Sequence, residues 1–363
     1  MGMIKVLIVD DSAFMRKVLS DLFVAAPDFV VVDVARNGNE AIEKVQKLQP
    51  DVITMDVEMP IMNGIQALEA IMKIRPTPVV MISSLTRTGA EATIQALEAG
   101  AVDFVAKTAG PISKIDNIID EILEKCREAS KVDMKRLVMK PSPEIQWGNL
   151  PTKKPSSERY SLSPSQSAGE RIVAIGTSTG GPRALQEILT QLPTELPSGV
   201  VIVQHMPPGF TKSLAERLNT LSALKVKEAE HDDVIQNGVA YIAPGDYHMV
   251  LAREGSRTVI KLNQELPIGG HRPSVDPMLE SVAKIYAENA IGVILTGMGH
   301  DGSKGLKTIK ERRGTTIAED ASTTVVFGMP KSAIELGVVD KILPLHNIAA
   351  EITRQLQSRH GGV

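Results

Sequence analysis

The chain has 363 residues, which favours two domains, and its 43% hydrophobic and 23% charged residues are ordinary for a globular protein. A formal net charge of -3 argues against nucleic acid and anionic membrane surfaces as partners, and the single cysteine, Cys126, excludes an intrachain disulfide. With no apolar run of membrane-spanning length and no signal-peptide pattern at the N-terminus, the sequence predicts a cytoplasmic protein without membrane insertion.

Residues 1–128 alternate short apolar segments with segments of helical periodicity. The apolar segments are hydrophobic throughout, as expected for strands of a parallel sheet that is covered on both faces. The five predicted strands are IKVLIVD, FVVVDVA, DVITMD, PVVMISS and VDFVAK. Five strands that alternate with helices predict a doubly wound α/β domain with a five-stranded parallel sheet.

Residues 129–168 differ in composition, because they are rich in proline, serine and charge and have little apolar periodicity. Such a composition predicts a linker. The linker contains the only tryptophan, Trp147, which either docks, packs on a domain face or has no role. Residues 169–358 return to the α/β alternation, with predicted strands in RIVAIG, GVVIVQH, VAYIAPG and AIGVILTG. They predict a second doubly wound, Rossmann-like domain.

Polar residues follow or end four predicted strands of the first domain, and they are Asp10, Asp11, Asp56, Ser83 and Lys107. The carboxyl ends of parallel strands meet at one edge of a sheet, so these side chains should lie together. Three carboxylates there would repel one another without a cation, and oxygen ligands with open positions suit Mg²⁺. A carboxylate beside Mg²⁺ can accept a phosphoryl group, whose charge Lys107 would neutralise.

The segments VLIVDDSAFMR, DVITMDVEMPIMNGI, VVMISSLT and GAVDFVAKT resemble a response-regulator receiver domain. This resemblance implies that Asp56 is the phosphoacceptor. The implied ligands of Mg²⁺ are the side chains of Asp11 and Asp56, with Asp10 close by, and the main-chain carbonyl of Glu58.

The same resemblance implies that Ser83 and Phe104 form the switch pair, beside Lys107. Receiver domains usually have a proline after this lysine, whereas the present chain has Thr108. The departure concerns the local backbone geometry and not the chemistry of phosphorylation.

The second domain opens with a strand followed by the glycine-rich turn GTSTGG, residues 176–181. A dinucleotide fingerprint or a Walker A loop would need an acidic residue after the next strand or a lysine in the loop, and both are missing. The letters GTSTG do match G-x-S-x-G, the pattern of a nucleophile elbow. Ser178 is therefore a candidate nucleophile beside N–H groups that can form an oxyanion hole, and the alternative is a serine that caps a helix.

A serine nucleophile needs a base that a third group orients. His205 ends the next strand, and Asp301 lies in the glycine-rich segment ILTGMGHDGSKG after a later strand, so both should share the sheet edge with Ser178. The rival order known from α/β-hydrolases would be Ser178, Asp301 and His346. His346 is predicted just before a helix, near a cap at Asn347, which argues against that rival.

Two other histidines have weaker signals. His271 and Arg272 lie in the loop GGHRPSVDP, where contact with substrate and a solvated loop are both possible. His248, in PGDYHMVL, is predicted on or beside a strand, in a structural role.

The segments AIGTSTGGPRAL, VIVQHMPPGFTKSLAERL, AYIAPGDYHM, GHRPSVDPM and ILTGMGHDGSKGL resemble the catalytic domain of the CheB family of chemotaxis protein-glutamate methylesterases. The resemblance implies hydrolysis of glutamate γ-methyl esters, and deamidation of glutamines, on the cytoplasmic helices of chemotaxis receptors. Its implied catalytic residues are Ser178, His205 and Asp301, with oxyanion donors at Thr179 and Met298. It implies no cofactor in the esterase domain, and a chemotaxis histidine kinase as the phosphodonor.

The order of the domains suggests regulation within one chain. We expect the unphosphorylated receiver to pack over the carboxyl edge of the second domain, and phosphorylation of Asp56 to weaken that packing.

A response regulator that binds DNA and a nucleotide-dependent oxidoreductase lack support in the sequence. A non-catalytic interaction module is the remaining rival, against which the intact set of Ser178, His205 and Asp301 argues.

Overall fold

The computed structural model describes residues 2–107, 115–134 and 171–357. The linker prediction from residue 135 to residue 168, Trp147 and Thr108 lie outside these residues. None of the described helices combines the length and the apolar character that crossing a membrane requires.

The first domain contains a five-stranded parallel sheet, as the sequence predicts, and its strand order is β2-β1-β3-β4-β5. Its strands are β1 (Ile4–Val9), β2 (Phe29–Ala35), β3 (Val52–Asp56), β4 (Val79–Ser84) and β5 (Asp103–Lys107). Its helices are α1 (Ala13–Ala25), α2 (Gly38–Leu48), α3 (Gly64–Ile74), α4 (Arg87–Glu98) and α5 (Ile115–Ala129). The central strand β3 is buried along its whole length, which explains the apolar side chains of Val52, Ile53 and Met55.

The second domain contains a seven-stranded parallel sheet with strand order β14-β13-β12-β6-β7-β9-β8 and a separate antiparallel hairpin, β10–β11. The strands are β6 (Ile172–Thr177), β7 (Gly199–Gln204), β8 (Lys225–Glu228), β9 (Val239–Ile242), β10 (His248–Glu254), β11 (Arg257–Asn263), β12 (Ala290–Ile294), β13 (Thr315–Glu319) and β14 (Lys341–Leu343). The helices are α6 (Gly181–Gln191), α7 (Phe210–Leu221), α8 (Val275–Tyr286), α9 (Ser303–Glu311), α10 (Met329–Glu335) and α11 (Leu345–Gln357). The predicted α/β class and the four predicted strands are confirmed.

Strand β6 is the point at which the second sheet changes direction. The chain first adds β7, β8 and β9 on one side of β6 and later adds β12, β13 and β14 on the other side. The crevice at the carboxyl end of such a strand is where open α/β sheets bind ligands. Ser178 follows β6 directly, so the topology puts the candidate nucleophile at this crevice.

The two domains touch through α4 and β5 of the first domain and α6 and α7 of the second. The ring of Phe104 stacks on that of Phe210, with 4.7 Å between centroids and 22° between planes. At the edge of this contact, the guanidinium of Arg217 donates two hydrogen bonds to the carboxylate of Glu98, at 2.7 and 3.0 Å. The interface therefore joins an aromatic contact to an ion pair.

Candidate active site and phosphorylation site

An acidic cluster lies at the carboxyl edge of the first sheet. Asp10, Asp11 and Asp56 each offer a carboxylate oxygen, and these atoms all lie within 4.8 Å of one another. The Nζ of Lys107 is 2.8 Å from Asp56 and 3.3 Å from Asp10. Burial raises the pKa of Asp56, against the effect of Lys107. Oxygen ligands at this spacing suit a divalent cation, and a cation would offset the cost of burying the charges of Asp10 and Asp56.

The other predicted receiver residues, Ser83 and Phe104, lie on the neighbouring strands β4 and β5. The hydroxyl of Ser83 is buried and donates to the main-chain oxygen of Gly89 in α4, at 3.1 Å. Phe104 is buried against the second domain. A main-chain hydrogen bond at Glu58 also reaches the Asp56 carboxylate. Coordination of a metal by the Glu58 carbonyl stays a prediction.

The turn that carries Ser178 is held by its backbone. The N–H of Ser178 donates to the oxygen of Thr296 at 3.0 Å, and the oxygen of Ser178 accepts from the N–H of Gly181 at 2.8 Å. Gly180 has φ +79°, and a Cβ there would lie 2.6 Å from the side chain of Val325. Only glycine suits both the dihedral angle and the space, so the turn is sharp and leaves Ser178 partly exposed at its tip.

His205 is next to this turn because β6 and β7 are paired. Thr177 faces Gln204 in the register, and the N–H of His205 donates to the oxygen of Thr177 at 3.2 Å. The side-chain amide of Gln204 donates to the oxygens of Ser178 and His205, at 3.0 and 3.1 Å. Gln204 thus connects the two candidate catalytic positions. The sequence does not reveal this role, because the partners of the Gln204 side chain are main-chain oxygens that no motif identifies.

Asp301 and His205 form a hydrogen-bonded pair with 2.8 Å between Nε2 and Oδ2. The other ring nitrogen of His205, Nδ1, is buried and has no hydrogen-bond partner within the described part of the chain. It is therefore the nitrogen that is free to take a proton from a serine hydroxyl.

The carboxylate of Asp301 also caps the N-terminus of α8. It accepts the Val275 N–H at 2.7 Å, the Asp276 N–H at 3.0 Å and the Ser274 hydroxyl at 2.9 Å. Burial favours a higher pKa, but the hydrogen bonds from His205 and from these N–H groups hold the pKa of Asp301 at about 2. Asp301 is therefore ionised at neutral pH and can stabilise a charged His205.

The segment that carries Asp301 is fixed in return by Asp276. The Asp276 carboxylate accepts the N–H of Gly305, in the first turn of α9, at 2.8 Å. Helices α8 and α9 are thus capped by each other, with Asp301 between them. Burial raises the pKa of Asp276. The sequence gives no signal for this role of Asp276, because the contact joins residues from two helices.

A second network of buried hydrogen bonds supports the Ser178 turn. The hydroxyl of Thr296 donates to the oxygen of Thr179 at 2.9 Å, and the N–H of Thr296 donates to the carboxylate of Glu319 at 2.8 Å. Glu319 also accepts from the hydroxyl of Thr323 at 2.9 Å. Its side chain is fully buried, and this burial raises its pKa to about 7.

The N–H groups of Thr179 and Met298 were predicted as oxyanion donors. Across residues 2–107, 115–134 and 171–357, neither group has a hydrogen-bond acceptor. Met298 follows Gly297, whose backbone bonds to Val326, Gly328 and Met329. The loop is therefore fixed while the N–H of Met298 stays available.

The remaining histidines have different surroundings. The ring of His271 stacks on that of His205, with centroids 3.9 Å apart, and burial lowers its pKa to about 4, with a further effect from His205. His248 is buried, with one ring nitrogen 3.2 Å from the Leu266 oxygen and the other accepting the Ser274 N–H. His346 lies inside the first turn of α11 and not before it, because this helix begins at Leu345.

The alternative triad would need a hydrogen bond between Asp301 and His346, and these two described residues do not form one. His346 lines a cavity of about 390 Å³ together with Arg183 and Glu319, and Asp301 is not part of that lining. Asp301 is instead bonded to His205.

One hydrogen bond joins the Ser178 turn to the first domain. The hydroxyl of Thr179 donates to the carboxylate of Asp103 at the start of β5. Thr179 and Asp103 are both buried at this contact. The receiver thus touches the residue that directly follows the candidate nucleophile.

Comparison with known proteins finds one family in each half of the chain. The family model for the CheB methylesterase matches residues 173–352, and that for the response regulator receiver domain matches residues 6–120. A protein-glutamate methylesterase/protein-glutamine glutaminase of Geobacillus kaustophilus is 51% identical over 98% of this chain and 99% of its own length. One of Pyrococcus abyssi is 48% identical over 99% of this chain and 95% of its own. The crystal structure of the Thermotoga maritima CheB methylesterase catalytic domain is 50% identical, with a TM-score of 0.51, and covers 51% of this chain and 98% of that domain.

Proposed function

The chain belongs to the CheB methylesterase family, and from this premise we propose that Ser178, His205 and Asp301 hydrolyse glutamate γ-methyl esters on chemotaxis receptors. The protein is a phosphorylation-regulated protein-glutamate methylesterase and protein-glutamine glutaminase. The observation that carries the proposed residue roles is the 2.8 Å bond between His205 and Asp301 at the strand end beside Ser178.

The proposed reaction begins when the Ser178 hydroxyl attacks the ester carbonyl and gives its proton to Nδ1 of His205. The tetrahedral intermediate collapses, the C–O bond to the methoxy group breaks, and methanol leaves with the proton from His205. Water then attacks the acyl-enzyme with His205 as base, which restores Ser178 and releases the glutamate carboxylate. With glutamine as substrate the leaving group is ammonia.

Two features stabilise the charged groups that form during this reaction. Ionised Asp301 stabilises the imidazolium of His205 and fixes the orientation of its ring. The N–H groups of Thr179 and Met298 are the proposed donors to the oxyanion, whose charge develops next to them. These groups need no cofactor, so we propose that the esterase domain works without one.

The receiver supplies the regulation. Asp10, Asp11 and Asp56, with the Glu58 carbonyl, would hold Mg²⁺, which when bound neutralises the charge of the transferred phosphoryl group. Asp56 would accept this group from a chemotaxis histidine kinase, and Lys107 would contact its oxygens. Because the substrate is the cytoplasmic part of a receptor, we propose that the protein acts in the cytoplasm.

The contacts between the domains support inhibition by the unphosphorylated receiver. Asp103 bonds to Thr179, and Phe104, a proposed switch residue, stacks on Phe210. A change at Phe104 and Ser83 on phosphorylation would therefore act on the contact that lies beside Ser178.

The test is methanol release from a methylated receptor fragment, with and without Mg²⁺ and a small phosphodonor. We expect release that increases with phosphorylation. Ser178→Ala should abolish release and leave phosphorylation of Asp56 intact, with Ser256→Ala, at an exposed serine in the turn between β10 and β11, as a control that keeps wild-type release. Near wild-type release by Ser178→Ala would refute the assignment of the nucleophile.

A further inference from the structure

Three apolar side chains are exposed beside the candidate active site. They are Tyr247, Leu266 and Ile268, with exposed fractions of 39%, 85% and 44%, and we call them the apolar rim. Isolated exposed apolar side chains are common on proteins. These three differ, because they come from two loops that are fastened to each other and to the active site.

Polar contacts hold the two loops together. The guanidinium of Arg272 donates to one oxygen of Asp246, at 3.0 and 2.6 Å, and to the main-chain oxygens of Gln264 and Glu265, at 3.2 and 2.9 Å. The side chain of Gln264 also donates to the Asp246 carboxylate at 3.1 Å. The loops that carry the apolar rim therefore have a defined shape before any partner binds, which lowers the entropic cost of binding.

His271 connects these loops to the active site. Ile268 and His271 exchange two backbone hydrogen bonds, each of 3.0 Å. The ring of His271 in turn stacks on that of His205, with 3.9 Å between centroids. Ile268 is thus connected to the proposed catalytic base, His205, through the backbone and the ring of His271.

We propose that the apolar rim binds the segment of the substrate protein that flanks the esterified glutamate, through apolar side chains of that segment. This inference rests on the proposed function. A glutamate within a protein reaches Ser178 only together with its neighbours in the chain, so these neighbours lie against the surface next to His205. If the segment is helical, residues three or four positions from the glutamate share its face, and apolar side chains there can cover the rim.

The test compares the double variant Leu266→Ser/Ile268→Ser with the control Ile342→Ser. Ile342 has an exposed fraction of 45%, like Ile268, but lies on β14 at the outer edge of the sheet. Each protein is assayed, with Mg²⁺ and a phosphodonor, for methanol release from a methylated receptor fragment and for hydrolysis of p-nitrophenyl acetate. We expect the double variant to lose about tenfold in kcat/KM for the fragment, mainly through KM. Hydrolysis of the small ester should be unchanged, and the control should match the wild type on both substrates.

Two results would overturn the inference. One is an unchanged kcat/KM for the fragment in the double variant, and the other is an equal loss on both substrates, which would mean that the substitutions disturb the triad. A wild-type protein that releases no methanol would instead contradict the proposed function. The affinity of the same variants for the fluorescently labelled fragment would then decide whether the rim binds it.

Discussion

The Thr179 hydroxyl donates a hydrogen bond to the carboxylate of Asp103, although the two residues belong to different domains. Thr179 directly follows the proposed nucleophile and its N–H is a proposed oxyanion donor. Asp103 directly precedes Phe104, a proposed switch residue. The neighbours of Phe104 and of Ser178 along the chain are therefore joined across the domains by this hydrogen bond, which makes the bond a precise target for mutation.

We predict that Asp103→Ala raises methanol release by the unphosphorylated protein about fivefold or more. A hydrogen bond to a charged group contributes about 1.5–3 kcal/mol, and its loss favours undocked receiver. Methanol release without phosphodonor measures the effect, and intact phosphorylation of Asp56 shows that the receiver is still folded. Thr179→Val should have a similar effect, and the double variant should add nothing to it. Additive effects would mean that the two residues act separately.

We predict that deletion of residues 1–140 raises basal esterase activity. The deletion removes Asp103 and Phe104 from the surface beside Ser178, so access no longer depends on phosphorylation. The measurement is methanol release by the truncated protein without Mg²⁺ or phosphodonor, and Ser178→Ala in the truncated protein serves as the blank. Unchanged or lower activity would contradict inhibition by the receiver.

We predict that Asp276→Ala lowers kcat about tenfold or more and leaves KM unchanged. Its carboxylate accepts the N–H of Gly305 and thereby holds the segment that carries Asp301. Small displacements of a catalytic group are costly for the rate. Asp276→Asn should keep most of the activity, because its amide oxygen can accept the same N–H. An asparagine variant as impaired as the alanine variant would contradict this role.

We predict that Glu319→Gln removes a pH dependence of stability. Burial raises the pKa of Glu319 in the folded protein to about 7, from the usual glutamate value of 4.5. Between these two pH values the folded state binds more protons than the unfolded state, so the free energy of unfolding falls as pH rises from 4.5 to 7 and then levels off. Glutamine does not titrate.

The measurement is denaturant unfolding of wild type and Glu319→Gln at pH 5 and pH 8. The variant should gain on the order of 3 kcal/mol relative to wild type between the two pH values. Glu335→Gln, on the exposed side of α10, should track the wild type. Parallel pH profiles for wild type and Glu319→Gln would show that the carboxyl titrates normally.

Most of the strands that the sequence predicted are buried on both faces, and the exception is the edge strand β2, which is only partly buried. Segments such as β6 and β7 consist almost entirely of apolar, buried residues and cannot be mistaken for solvated loops. Strand β8 has the sequence KVKE and the hairpin β10–β11 carries charged residues, so neither shows this pattern. Strand β14 has only three residues, which is too short for a periodic signal.

The candidate site was partly predictable for a related reason. Ser178, His205 and Asp301 each follow a recognisable strand, and parallel topology brings strand ends together. Gln204, Asp276 and Glu319 act through contacts that depend on three-dimensional packing, such as the bond from Asp276 to Gly305. The contact of Thr179 with Asp103 depends on how two domains dock, which no local pattern encodes.

The stacking of Phe104 on Phe210 has a consequence for the receiver itself. If phosphorylation weakens docking through Phe104, then docking must weaken phosphorylation by the same free energy, because coupling between two equilibria is reciprocal. The catalytic domain would thus act as an effector of its own regulator. A receiver freed from its partner should reach a higher phosphorylated fraction at the same phosphodonor concentration, because part of the free energy of phosphorylation would otherwise be used to separate the two rings.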